Sequence, residues 1–152
     1  MLAEARALPH AQPERPHGAA VFKKLITHYT ELFENEPLFQ IYIFVHSEQY
    51  FNLAALKIVE GENNRICDAV KDVLSALAAA KKITKKTDKE LKDAAAMLTA
   101  IIIQHRDAYL AARKETVRQN PDSKAGGLFA LPTDEAALAP TLKLVEAALK
   151  TL

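Results

Sequence analysis

The sequence predicts an all-α protein, an up-and-down bundle of four to five helices with an extended N-terminal tail. Its composition favours helix, because Ala, Leu, Lys and Glu are abundant while the 152 residues include only 4 glycines and no tryptophan. Apolar residues also recur along most of the chain at the spacing of one helix face. The connections between these segments are short, so we expect successive helices to be antiparallel neighbours.

The overall composition is that of a globular domain, with 49% hydrophobic and 26% charged residues. The single cysteine, Cys67, excludes an internal disulfide framework and fits a reducing compartment. The longest helical apolar stretch, residues 94–103, is half of the ~20 residues that a bilayer requires, and residues 1–20 lack the apolar segment of a secretory signal. We therefore expect an intracellular protein, cytosolic or in a matrix-like compartment, without a membrane span.

The chain is predicted to consist of a tail and one domain. Residues 1–19 form the tail, where Pro9, Pro13 and Pro16 stand among polar residues and favour an extended polyproline backbone. Residues 20–152 form a single helical bundle. Its first helix is predicted from about residue 19 to residue 34 by an apolar stripe at helical spacing.

The next segment leaves several alternatives open. Pro37 suits a first helical position, but the residues from Leu38 to Val45 are apolar on every side and would also suit a strand. Because the chain offers no second strand, we expect a helix to Val59, closed by Gly61, or one that is broken near Ser47. A helix that is apolar all round must be covered on both sides, so it lies at the bundle centre or forms half of an interface.

The remaining helices have clearer ends. The third is predicted over roughly residues 64–81. The fourth begins at a capping box, Thr87-Asp88-Lys89-Glu90, and ends by Gln119. A loop over residues 120–133 then precedes a last helix, which Pro140 should kink or restart.

Charge is divided along the chain. Residues 25–80 contain 3 basic and 8 acidic residues, whereas residues 81–118 contain 10 basic and 5 acidic residues. Such a division suits electrostatic steering of a partner or antiparallel packing of two copies. Charged residues that simply face solvent on two sides of the bundle would give the same pattern, and this interpretation is the simpler one.

A lysine cluster surrounds the predicted turn between the third and fourth helices, with Lys81, Lys82, Lys85 and Lys86 at its centre. These lysines are candidates for partner contact, and the turn over residues 81–92 suggests weak polyanion binding as an alternative. Recognition of nucleic acid usually adds arginines, aromatic residues or glycine-rich backbone. None of these is interleaved here, so the sequence argues against nucleic acid as the partner.

His105 lies in the apolar stripe of the fourth predicted helix. A buried imidazole can ligate haem or a metal, or hydrogen-bond a small ligand, so His105 is the one candidate cofactor-binding residue. The alternative is a core histidine that is hydrogen-bonded to a backbone carbonyl or a tyrosine hydroxyl group. We favour the core histidine, because a lone histidine has no second ligand at a diagnostic spacing.

The chain has no phosphate-binding loop, dinucleotide fingerprint, nucleophile elbow or zinc-protease motif, so no catalytic residue and no cofactor is predicted. The sequence is best explained as a non-catalytic helical subunit or adaptor that contacts a protein partner, or a second copy in a homo-oligomer, within a larger assembly. Phe39, Ile43 and Phe44 are its candidate contact residues. The alternatives are a small-molecule, haem or metal carrier that uses His105, and polyanion binding by the lysine turn.

Overall fold

A computed structural model of the chain describes residues 18–33, 38–84, 87–119 and 135–152. Within these ranges the chain forms helices and no strand, which confirms the predicted all-α fold. The helices are α1 (Ala19–Glu31), α2 (Leu38–Glu48), α3 (Leu53–Ala79), α4 (Asp88–Gln119) and α5 (Glu135–Leu149). The predicted tail as far as residue 17 and the predicted loop over residues 120–133 lie outside the described residues.

The helices pack as neighbours in an up-and-down bundle: α3 on α4, α4 on α5, α5 on α1, and α2 on α3. Two contacts between α3 and α4 show that these helices are antiparallel. Arg106 donates to Asn63 Oδ1 at 2.7 Å, whereas Lys71, further along α3, pairs with Asp88 at the start of α4 at 3.1 Å. The short connection between the two helices predicted this arrangement.

The main core is built from the inward stripes of α1, α3, α4 and α5. Its fully buried members are Phe22, Ile26, Val70, Leu74, Ala95, Leu98 and Val145. Burial of each large apolar side chain contributes about 1.5–3 kcal/mol. A second, aromatic cluster around Phe33 and Phe39 holds α2 against α1 and α4.

The chain enters α1 through a glycine that the packing requires. Gly18 adopts a left-handed backbone with φ of 106°, and a Cβ on it would lie 2.8 Å from Leu77 Cδ1. Its carbonyl accepts hydrogen bonds from the N–H groups of Val21 and Phe22, both at 3.0 Å. A larger residue at this position would therefore strain the backbone and displace the side chain of Leu77.

The helix that follows α1 ends at Glu48, and α3 begins at Leu53. The predicted continuous helix to residue 59 is therefore wrong, and the predicted alternative of a break is correct. The cap of the second half is Asn52 rather than Ser47. The side chain of Asn52 accepts from the N–H groups of Ala54 at 2.9 Å and Ala55 at 3.3 Å. Two of the first free N–H groups of α3 are thereby satisfied.

Gly61 does not close a helix, contrary to the sequence-based prediction, and lies in the interior of α3. The predicted start of a separate helix at Asn64 is wrong for the same reason. A helical glycine costs about 1 kcal/mol relative to alanine. The buried side chains of Val59 and Ile66, one on either side of Gly61, offset that cost and keep the helix continuous.

Replacing Asn52 with alanine should lower the free energy of unfolding by about 1 kcal/mol, because the cap of α3 is lost. Urea denaturation measures the change. Asn64→Ala is the matched control, since Asn64 is exposed within the same helix and should change the stability by less than about 0.5 kcal/mol. Equal losses in the two variants would contradict the role of Asn52.

The start of α4 matches the predicted capping box. The N–H group of Glu90 donates to Thr87 Oγ1 at 3.2 Å, and the N–H group of Thr87 donates to Glu90 Oε2 at 3.1 Å. The helix then continues to Gln119, as predicted. Two N–H groups at the start of the helix are satisfied by this reciprocal pair.

The last helix, α5, is continuous through Pro140, so the predicted restart at this residue is wrong. Pro140 lies in the second turn of the helix and is exposed. Its ring removes one backbone hydrogen bond. Leu138, Val145 and Leu149 on the buried face outweigh that loss by packing into the main core.

Candidate functional site

A cavity of about 800 Å³ opens between α1 and α3, with α2 forming part of its wall. We call it the α1–α3 groove. Most of the residues that line the groove are apolar, and a smaller number are polar or charged. They are Leu25, Tyr29, Leu32, Phe33, Leu38, Ile41, Tyr42, Val45, His46, Lys57, Ile58, Gly61, Glu62, Arg65, Ile66, Ala69 and Ile102. Its size lies within the range of roughly 300–1,000 Å³ that is typical of small-molecule sites.

The groove runs from the surface into the core. Its floor includes Phe33 and Ile102, which are each 2% exposed. Its rim includes Leu38, Ile41 and Ile58, whose exposed fractions are 57%, 57% and 59%. Apolar side chains therefore lie both at the rim of the groove and on its floor.

One side of the groove carries a connected set of polar side chains, which we call the Glu62 network. Tyr29 donates its hydroxyl hydrogen to Glu62 Oε1. His46 Nε2 lies 3.0 Å from Glu62 Oε2, and Arg106 lies 3.8 Å from the same oxygen. The hydroxyl groups of Tyr29 and Tyr42 are 2.9 Å apart. Because the single hydrogen of Tyr29 goes to Glu62, Tyr42 is the donor in this last bond.

Arg106 links the Glu62 network to the bundle. Its side chain is buried, and its guanidinium donates to Asn63 Oδ1 at 2.7 Å and to Asp107 Oδ1 at 2.9 Å. A buried cation is stable only when it is paired and hydrogen-bonded. Arg106 therefore fixes α4 against the face of α3 that carries Glu62.

Burial sets the protonation states in the network. Burial, together with the charge of Arg106, lowers the pKa of His46 to about 4, so this imidazole is neutral near pH 7 and its Nε2–H donates to Glu62. Burial also raises the pKa of Glu62, although the bond from Tyr29 and the charge of Arg106 oppose this effect. The pKa of Tyr29 is raised by burial and by Glu62, which keeps its hydroxyl group protonated as a donor.

Acidification should destabilise the protein through His46. The unfolded imidazole binds a proton near pH 6.5, whereas the folded one does so only near about pH 4. The contribution of neutral His46 to the free energy of unfolding is therefore fully present above pH 6.5 and is lost as the pH falls towards about 4. The expected loss is on the order of 1–3 kcal/mol. Urea midpoints measured across this range should fall more steeply for the native chain than for His46→Gln.

The comparison with His46→Gln is needed because Glu62 titrates in the opposite sense. Its pKa is raised on folding, so its contribution favours the folded state at low pH and is lost as the pH rises. Both chains retain Glu62, and the difference between them reports on His46. Identical pH profiles for the two chains would show that His46 binds its proton as readily in the folded state as in the unfolded one.

Gly61 leaves open space on the groove side of α3, since a Cβ added there meets no atom within 4 Å. Gly61→Ala should raise the free energy of unfolding by about 0.5–1 kcal/mol, because alanine favours the helix and meets no clash. Urea denaturation tests this expectation. A loss of stability instead would show that the space beside Gly61 is filled.

His105 is placed away from the groove. It is 9% exposed, and its Nδ1 lies 2.8 Å from Thr141 Oγ1 on α5. Burial lowers the pKa of His105. Within the described ranges, no group of three His, Cys, Asp or Glu side chains is arranged to hold a metal ion. Binding of haem, a metal or a small ligand by His105 stays a prediction that none of these observations tests.

The three apolar contact candidates have different environments. Phe39 is 4% exposed and packs in the aromatic cluster, and Ile43 is partly buried against it. Phe44 is 65% exposed. Only Phe44 thus offers a large free surface. Among the lysine candidates, Lys81 and Lys82 are exposed, whereas Lys85 and Lys86 lie outside the described residues.

Further exposed apolar side chains, which the sequence-based reasoning missed, follow Phe44. Tyr50, Phe51 and Leu53 in the turn between α2 and α3 are 79%, 89% and 67% exposed. We refer to these three residues and Phe44 together as the α2 apolar surface. None of the four residues lines the α1–α3 groove.

Comparisons with protein-family models, with curated proteins and with solved structures gave no match. The geometry defines the chain as an all-α bundle with an open groove and a separate apolar surface. In the described part of the chain, no helix combines the length and apolar character needed to cross a bilayer.

Proposed function

We propose that the protein is a non-catalytic helical subunit that binds a protein chain, either a different protein or a second copy, through its α2 apolar surface. The observation that carries this proposal is the exposure of Phe44, Tyr50, Phe51 and Leu53, each by more than 60%. Concentrated apolar exposure of this kind marks interaction sites. Aromatic residues are also enriched in the centres of interfaces.

The scarcity of charge around this surface supports a protein partner. Between Leu38 and Leu56, Glu48 is the one acidic residue, and the segment has no lysine or arginine. Interface cores are depleted of charged residues in the same way. Burial of each large apolar side chain would contribute about 1.5–3 kcal/mol to binding before the entropic cost of association.

The non-catalytic part of the proposal rests on chemistry. The sequence carries no nucleophile or phosphate motif, and the polar groups of the Glu62 network hydrogen-bond to one another. An intracellular location, cytosolic or matrix-like, belongs to the same proposal. It is supported by the single cysteine, Cys67, which is free.

The test compares two double variants that each remove exposed apolar surface. Phe44→Ser/Phe51→Ser removes it from the α2 apolar surface, while Met97→Ser/Leu144→Ser removes it from α4 and α5, where these residues are 41% and 49% exposed. Sedimentation velocity over a range of concentrations measures self-association. Affinity purification from source cells, with the recovered chains quantified, measures binding to other proteins.

We expect an oligomer or a stoichiometric partner with the native chain and with the control variant, and its loss with Phe44→Ser/Phe51→Ser. Circular dichroism should confirm that all three chains stay folded. If the native chain is monomeric at every concentration and recovers the same proteins as Phe44→Ser/Phe51→Ser, the proposed function is wrong.

A further inference from the structure

Two cations flank a gap on the mouth of the α1–α3 groove. Lys57, Gly61 and Arg65 follow one another at four-residue intervals along α3, a rise of roughly 6 Å per interval, and all three line the groove. Both cationic side chains are exposed, and within the described ranges neither forms an ion pair. Because Gly61 has no side chain and open space beside it, the volume between Lys57 and Arg65 is accessible.

The carboxylate of Glu62, which also lines the groove beside Gly61, is already engaged. Among the described residues that line the groove, Glu62 is the one acidic residue, and its oxygens contact Tyr29, His46 and Arg106. An anion placed over Gly61 would therefore meet two cations that have no partner in the described chain. Charge-assisted bonds of this kind fix the orientation of a ligand in an otherwise apolar site.

Inward from the two cations the groove is lined mainly by apolar side chains, with the Glu62 network on one side. Ile58 lies at its rim, Ile66 is 9% exposed further in, and Ile102 on the floor is 2% exposed. A molecule that satisfies both regions has one anionic head and a long hydrocarbon chain. The cavity of about 800 Å³ is large enough for one such molecule.

We propose that the α1–α3 groove binds a long-chain carboxylic acid, with its hydrocarbon chain among the apolar walls and its carboxylate between Lys57 and Arg65. The burial of Ile102 on the groove floor favours this ligand over a helix of another protein. A helix with its side chains is about 10–12 Å wide and lies along a surface, whereas a single hydrocarbon chain can reach Ile102. This site is separate from the α2 apolar surface and does not depend on the proposed function.

The first experiment titrates the purified full-length chain with decanoate, dodecanoate and tetradecanoate, each below its micelle concentration, by isothermal titration calorimetry. We expect one site per chain and an affinity that rises about fourfold with each added methylene group. Dodecanol and dodecyltrimethylammonium test the head group, and both should bind more weakly than dodecanoate. Equal binding of the ammonium compound would overturn the assignment of an anionic ligand.

A pair of substitutions at Gly61 tests the location. Gly61→Phe places a ring in the open space of the groove and should weaken dodecanoate binding about tenfold or more. Gly61→Ala also adds a Cβ to the helix but leaves the groove open, and it should retain the native affinity within about twofold. Binding that is the same in the native chain and in Gly61→Phe would overturn the proposal.

A second pair tests the two cations. Lys57→Gln/Arg65→Gln should weaken dodecanoate binding about fivefold and leave dodecanol binding unchanged, because exposed ion pairs contribute modestly. Lys143→Gln/Lys150→Gln removes two exposed charges from the C-terminal part of the chain and should change neither affinity. An equal loss of dodecanoate affinity in both double variants would assign the effect to net charge and overturn the role of Lys57 and Arg65.

The proposal is also overturned if none of the three carboxylates binds saturably. In that case, loss of self-association or of a protein partner in Gly61→Phe would identify the occupant as a second copy or another protein. Phe44→Ser/Phe51→Ser should leave dodecanoate binding intact, since neither residue lines the groove. Failure of the ligand site and failure of the protein interface are therefore separate results.

Discussion

Arg106→Met is expected to lower the free energy of unfolding by about 3–5 kcal/mol. The side chain of Arg106 is 3% exposed, and its removal leaves the partly buried carboxylate of Glu62 without a nearby positive charge. Asn63 Oδ1 also loses its donor at 2.7 Å. Asp107, by contrast, is 57% exposed and can bond to water. The loss arises mainly from the groups that remain desolvated.

Three further variants assign this loss to the Glu62 network. Arg65→Met removes an exposed arginine from α3 and should change the stability by less than about 0.5 kcal/mol. Glu62→Gln neutralises the carboxylate but keeps its shape, so Arg106→Met/Glu62→Gln should lose less than the sum of the single changes, by about 0.5–3 kcal/mol. Urea denaturation supplies all three values. Additive losses, or a loss below about 1 kcal/mol for Arg106→Met, would contradict the coupling.

The fold class could be predicted because each helix carries its own signal. The capping box of Thr87 and Glu90 lies within four residues, and the apolar stripes repeat within each helix. Gly61 shows the limit of such local signals. A glycine near the end of an apolar stretch looks like a terminator, and only the burial of residues on both sides, in a core made by other helices, keeps α3 continuous.

The Glu62 network could not be predicted in the same way, because its members come from four helices. Helical periodicity describes one segment at a time and carries no information on which side chains of α1, α2 and α3 meet. One signal was nevertheless present in the sequence. Arg106 lies one turn after Ile102 in the apolar stripe of α4, and a charge in such a stripe predicts a buried partner.

The environment of α2 was left open by the sequence for a related reason. A helix that is apolar all round gives no indication of which side its own chain covers. The structure places Phe39 inside the aromatic cluster and Phe44 in solvent. The cluster on the covered side is built around a residue from outside α2, Phe33, which the pattern of α2 itself cannot reveal.

Phe33→Ala is therefore expected to release α2, with an overall loss of about 3–5 kcal/mol. Phe33 is 2% exposed, and its ring centroid lies 4.4 Å from that of Tyr42 on α2, 5.0 Å from Tyr29 and 6.1 Å from Tyr109. Such ring contacts add to the energy of burial. Phe39 packs in the same cluster, so this one substitution weakens the attachment of α2 to α1 and α4.

Amide hydrogen exchange distinguishes local release from general destabilisation. Local release predicts that residues 38–48 lose protection at lower denaturant than residues 91–110, because the stripe of α4 packs mainly in the separate core. Phe44→Ala is the matched control: it removes the same ring from the exposed side of α2 and should shift both segments by less than about 0.5 kcal/mol. Equal loss of protection in α2 and α4 after Phe33→Ala would mean that the aromatic cluster and the main core unfold as one unit, and that α2 is not an independently attached element.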